Sequence, residues 1–247
     1  MNIPYPSDGQ IREASQRICR EALAPRETVL GFLKNMTARI GLLPLLTGSL
    51  DAAVVALAVF LGVGTSVPMR LIEFPEGKAV LTVFIFAFSP AFFGLYYALS
   101  MGKERASSLW QIKMSCKYTV RHLLACRMFY LSLASALING VYILALCDRL
   151  ALPALKLLCI CFTSLFFFSL LLLTVLLRFD SLVSVLGLYA LWIGGGAAGA
   201  VLIPEQLASL LTAIPVLAWL LVDGALVILL WDRFSVYINR RGCYAGC

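Results

Sequence analysis

Lys113, Lys117 and Arg121 fall four residues apart. On a helix they share one face, while Ile112, Cys116, Val120, Leu123 and Leu124 make another. His122, the chain's single histidine, adjoins the stripe. Such a face does no covalent chemistry; it docks, either on acidic lipid or on a soluble partner. Two acids, Asp51 and Asp223, stand inside apolar runs. An ionised carboxylate within a bilayer costs at least about 2.5 kcal/mol on insertion scales, so each needs protein, water or a partner beside it. Arg127, Arg178 and Ser or Thr hydroxyls are the candidate partners. The preferred reading of both acids is structural, with Asp51 at the interface if its helix starts near Gly48; the rival reading puts them on a transport path.

Other chemistries lack their residues. There is no G-x-x-x-x-G-K-[ST] phosphate loop and no serine-hydrolase elbow. Ser66 in "GTSVP" has no base near it in sequence. No cluster of His or carboxylates suggests a metal, and no cofactor is expected. A net charge of +7 would suggest nucleic acid in a soluble protein. Here the charge reports membrane orientation instead, and no nucleic-acid partner is expected.

The elements that must position these residues are apolar. Of 247 residues, 61% are hydrophobic and 13% charged, with a mean hydropathy of +0.92; soluble domains carry about 25% charged residues. The fold class is therefore an all-α integral membrane protein. Six spans are read near residues 45–65, 79–99, 124–147, 154–177, 181–203 and 209–231. Residues 1–44 precede them as amphipathic, interfacial helices, 101–124 form a polar segment between spans two and three, and 232–247 form a short tail. In the first region Ser7 and Gln10 suggest a capping box. Further on, Val29, Phe32, Leu33, Met36 and Ile40 make an apolar stripe. The first 40 residues are polar and mixed in charge, and no cleavable signal peptide is expected.

Sixteen of the twenty Lys and Arg residues fall in the N-terminal region, the segment after span two, the Arg178 turn or the tail. That asymmetry predicts six spans with both termini in the cytoplasm. On these spans Asp51 and Asp223 fall about 14 and about 12 Å from the same membrane edge at 1.5 Å per residue. The last break is the weakest, and "PEQLASLLTAIP" reads as a possible re-entrant helix ending at Pro215.

Within the spans, Gly195 and Gly199 form a small-x-x-x-small pair suited to helix packing. Pro90 is expected to kink span two. The aromatics around it are expected to face lipid and neighbouring helices. The eight cysteines have no disulfide spacing and read as small apolar groups; Cys243 and Cys247 in the tail have no assigned role.

The stretch "MSCKYTVRHLLACRMFYLSLASALINGVYIL" resembles the membrane-spanning subunit of bacterial ABC-2-type ATP-binding-cassette transporters. The similarity rests on Met114-Ser115-Cys116 followed by Ala125-Cys126-Arg127-Met128, on the amphipathic N-terminal helix, and on six spans with a basic segment between the second and third. The resemblance implies a permease half in the bacterial cytoplasmic membrane. It implies a separate ATP-binding-cassette ATPase, a second membrane subunit, identical or homologous, and a coupling helix within 101–124. It implies export, with no catalysis by this chain. The short region between spans five and six departs from relatives with long outer re-entrant helices. Two alternatives remain open: a substrate-binding subunit of a vitamin importer, and an intramembrane enzyme dependent on Asp51, Asp223 or His122.

Overall fold

Thr28 starts helix α1 (Val29–Ile40), with its hydroxyl accepting from the Gly31 N–H at 3.2 Å. Gly41 ends it at φ 83°, a left-handed conformation open to glycine without a Cβ penalty. The predicted apolar stripe of this helix is the buried one. Val29, Phe32, Leu33 and Met36 pack into the same core as Phe234 and Ile238, while Leu30 on the opposite face is exposed. The stripe is thus covered by protein rather than by lipid.

The computed structural model describes residues 9, 13–14, 28–41, 50–71, 77–106, 120–150, 153–179 and 181–239. The suggested capping box at Ser7 and Gln10, and Cys243 and Cys247, lie outside them. After α1 come α2 (Leu50–Leu71), α3 (Gly77–Phe88), α4 (Ala91–Ala106), α5 (Val120–Leu150), α6 (Ala154–Arg178), α7 (Leu182–Leu202), α8 (Pro204–Ala213) and α9 (Val216–Asn239). The described residues form no strand. Five helical segments are long and apolar enough to cross a membrane, or six if α8 and α9 count as one bent span. The chain is an all-α, multi-pass membrane protein by this architecture.

The second span is the hub. Its two halves, α3 and α4, touch α2, α5, α6, α7 and α8. Within the protein 67% of its apolar window is buried, against 6% for α7. The aromatic run explains this. Phe92, Phe93, Tyr96 and Tyr97 are all buried, so they face neighbouring helices rather than lipid. Tyr189 of α7 lies against Gly94, where an added Cβ would come within 2.7 Å of the ring. Peripheral helices instead carry exposed apolar side chains such as Leu191, Val201, Leu221 and Ile228, as lipid-facing surfaces do. Cys126, Cys147, Cys159 and Cys161 are buried free thiols among these helices.

Two boundaries differ from the expected ones. Helix α4 runs on to Ala106 and α5 has begun by Val120, so both ends of the 101–124 segment are helical. The last helix begins at Val216, after Pro215. Pro204–Ala213 forms a separate helix bent 88° from α9. Pro204 sits in the first turn of α8, where a missing N–H costs nothing.

Candidate functional site

Ser100 and Glu104 stand four apart on α4, so both face α5. Arg127 of α5 donates from Nη1 to Glu104 Oε1 at 2.9 Å and to Ser100 Oγ at 3.3 Å. The Arg127 and Glu104 side chains are 4% and 9% exposed. A buried pair is held in place because loss of either partner leaves the other charge in a medium that cannot solvate it. One residue away, Lys103 points off the same helix and donates to Asp51 Oδ2 at 2.8 Å. That pair is open to solvent. Together the two ion pairs tie α2, α4 and α5 at one end of the bundle. Phe129 and Phe234, with ring centroids 6.0 Å apart, bring the end of α9 to the same place.

A second polar cluster surrounds the break at Ser89–Pro90. Proline has no N–H, so Phe86 O loses its helical donor. The Ser164 hydroxyl on α6 donates to that carbonyl. Trp192 Nε1 on α7 donates to Ala87 O at 3.0 Å, and Asn139 Nδ2 on α5 donates to Ser89 O at 3.0 Å. Ser89 Oγ in turn lies 2.9 Å from Cys161 O, which accepts its proton. Three neighbouring helices thus supply donors where the helix cannot. Irregular backbone persists inside a membrane protein when it is buried and satisfied in this way. The arrangement satisfies the backbone at the break in the helix.

The sequence-predicted acids separate. Asp51 is one residue from the start of α2, at the end of the bundle that holds Glu104 and Arg127. Asp223 lies seven residues into α9, about 10 Å from the opposite end at 1.5 Å per residue. The expected common depth does not hold, because α2 is described only from Leu50, one residue before Asp51, while α9 runs on past 231 to Asn239. Their partners are Lys103 for Asp51 and the Thr163 hydroxyl, at 2.5 Å, for Asp223. Of the candidates, a hydroxyl is the type found for Asp223, and Arg127 serves Glu104 instead.

Lys113 and Lys117 lie outside the described residues. Arg121 and His122 fall in the first turn of α5, with their side chains outside the description. Gly195 faces open space, and a Cβ at Gly199 would meet only Leu207 Cδ2, at 3.2 Å. The close contact is at Gly196, where a Cβ would stand 2.2 Å from Ala87 Cβ. Trp192 and Gly196, one turn apart on α7, therefore clasp Ala87 together. Sequence reasoning missed Glu104, Asn139, Ser164 and Trp192. Their signals were the Ser100–Glu104 spacing and single polar groups set in apolar runs beside Pro90.

Among the described residues no three His, Cys, Asp or Glu side chains gather as a metal site would require. No protein-family model matches the chain, and no curated protein or solved structure matches it.

Proposed function

We propose that this chain is the permease half of an ABC-2-type transporter in a bacterial cytoplasmic membrane. In this reading it has six spans with both termini in the cytoplasm. A separate ATPase docks on the basic segment between α4 and α5, and a second membrane subunit completes the path. The proposed direction is export, and the chain itself hydrolyses nothing. One observation carries the reading. The two helices that flank the basic segment are locked together at its roots by the buried Glu104–Arg127 pair. Lys103 and Asp51 extend the tie to α2. A displacement applied to the segment is therefore delivered to three spans as a unit, which is what energy coupling from a docked motor requires. The charge distribution supports the sidedness, since sixteen of the twenty Lys and Arg fall in sequence regions read as cytoplasmic.

The test is on the stripe itself. Exposed charge pairs are each worth only about 0.2–1 kcal/mol, so single changes are expected to be mild. Lys113→Glu, Lys117→Glu and Arg121→Glu combined are expected to abolish co-purification of an ATP-binding-cassette ATPase from the host's membranes. The triple Gln variant, checked for topology by cysteine accessibility, controls for lost inside-positive charge. Recovery of the ATPase with the Glu variant at unchanged salt resistance would reduce the stripe to a lipid anchor.

A further inference from the structure

At the end of the bundle opposite the Glu104–Arg127 pair, α3, α6 and α8 line a half-open pocket of about 330 Å³, with Glu205, Ser209 and Thr212 exposed at its mouth. It exists because α8 turns 88° from α9 and lies across α3 instead of continuing the last span. Lys156 of α6 holds it there by donating from Nζ to the Thr212 carbonyl. The cavity has an apolar side that includes Ile160. Its polar side chains are Thr82, Ser209, Thr212, Lys156 and Glu205.

The two charges come from different helices, and among the described residues no ion pair joins them. Among the described residues Glu205 has no hydrogen bond or ion pair. Lys156 uses one ammonium donor on Thr212 and has three. A cation and an anion held apart in one cavity, beside hydroxyls and an apolar wall, match a ligand with the opposite arrangement. We propose that this cavity binds a small zwitterion bearing a primary ammonium and a phosphate or carboxylate. Glu205 receives the ammonium and Lys156 the anionic group, while the Ser209 and Thr212 hydroxyls, whose protons go to carbonyls of their own helix, accept from the ammonium.

The size fits this class. Ligand sites run from about 300 to about 1,000 Å³, so this one takes a headgroup-sized or amino-acid-sized molecule. Its depth allows two sources. Lys156 is two residues from the start of α6, about 3 Å along the axis, which on the six-span reading puts it near the membrane surface. The zwitterion is therefore either the headgroup of a bilayer lipid or a free solute.

The experiment uses the full chain purified in mild detergent. Native mass spectrometry measures retention of phosphatidylethanolamine against phosphatidylglycerol, and thermal unfolding is followed with O-phosphoethanolamine or glycine. The wild-type chain is expected to prefer phosphatidylethanolamine, or to be stabilised by a soluble zwitterion, by about tenfold in affinity over the partner lacking the ammonium, the ratio one charge-assisted contact supplies. Glu205→Gln is expected to erase that preference, whereas Lys156→Gln weakens binding of both lipids and Lys156→Arg preserves it. A response to lipid alone assigns the bilayer as source, and a response to the solutes assigns a soluble one. No preference in the wild-type chain, or an unchanged preference in Glu205→Gln, overturns the proposal. If Lys156→Gln fails to fold, Glu205→Gln and Lys156→Arg decide it. No ATPase is present in this experiment, so its failure leaves the transport reading standing.

Discussion

Arg127 and Glu104 meet at 2.9 Å between α4 and α5, each almost fully buried. Ser100 shares the guanidinium from one turn back on α4. The pair joins α4, near its end at Ala106, to α5, near its start at Val120. It fixes the spacing of the two helices at that point, and it sits one residue from the exposed link to α2.

The first prediction follows from its burial. Removing one partner of a buried ion pair costs about 3–5 kcal/mol, whereas replacing both with apolar groups is often far milder. Glu104→Gln and Arg127→Met are each expected to lower the thermal unfolding midpoint in detergent strongly. The double variant Glu104→Met/Arg127→Met is expected to recover much of that loss. If the proposed coupling is right, the recovered double variant still transports poorly per ATP hydrolysed. Additive losses in the double variant would show that the two residues do not act as a pair.

The acids are expected to behave differently from one another. Asp51→Asn removes an exposed partner of Lys103 and is expected to leave the unfolding midpoint unchanged within scatter. Asp223 is half-buried against α6, and its hydrogen-bond donor is Thr163. Asp223→Asn keeps an acceptor for that hydroxyl and is expected to fold normally. Thr163→Val leaves the carboxylate without its donor and is expected to cost about 1–3 kcal/mol. Thermal unfolding of the purified variants separates these outcomes. A folded Asp223→Asn chain that fails to transport would move Asp223 from glue to path.

How far the sequence carried can be seen at individual residues. The stripe Val29–Phe32–Leu33–Met36 was legible because helical periodicity and burial agree there. The break at Pro90 was legible because proline's missing N–H is a local fact. The partners were not. Which carbonyls Ser164, Trp192 and Asn139 serve depends on helix packing, and one polar residue in an apolar run does not say which neighbour it meets. Glu104 was hidden for another reason: it belongs to the polar end of its helix by composition, yet the helix continues past Ala98 and buries it. The small-residue run in α7 shows the same limit. Its register against α3 decides which glycine makes contact, and that register is a tertiary property.

That register yields a direct test. A Cβ at residue 196 would stand 2.2 Å from Ala87 Cβ, so the helices must part to admit it. Gly196→Ala is expected to cost about 1–3 kcal/mol, as overpacking does. Gly195→Ala meets open space and is expected to be neutral, or to stabilise by part of the roughly 0.5–1 kcal/mol that glycine costs inside a helix. Unfolding midpoints of the two single variants decide it. Equal effects would mean that α7 is packed in a different register.

The final prediction concerns the break in the second span. Pro90 leaves Phe86 O without its helical donor, and the Ser164 hydroxyl donates in its place. In the wild-type chain Ser164→Ala therefore strands a buried carbonyl, at a cost of about 1–3 kcal/mol. Pro90→Ala restores an N–H that can close the i to i−4 bond if α3 and α4 straighten. The same serine substitution should then cost much less. A double-mutant cycle on the unfolding free energy measures the difference, which is expected to exceed the few tenths of a kcal/mol seen for independent sites. Straightening also has a structural consequence, because Trp192 and Asn139 are placed to reach Ala87 O and Ser89 O in the bent form. A chain carrying Pro90→Ala is expected to lose part of their contribution, so its own stability should fall even as its dependence on Ser164 is relieved. If the serine substitution costs the same with and without the proline, the hydroxyl is not replacing the missing backbone donor, and the bend must be held by the packing of α3 and α4 alone.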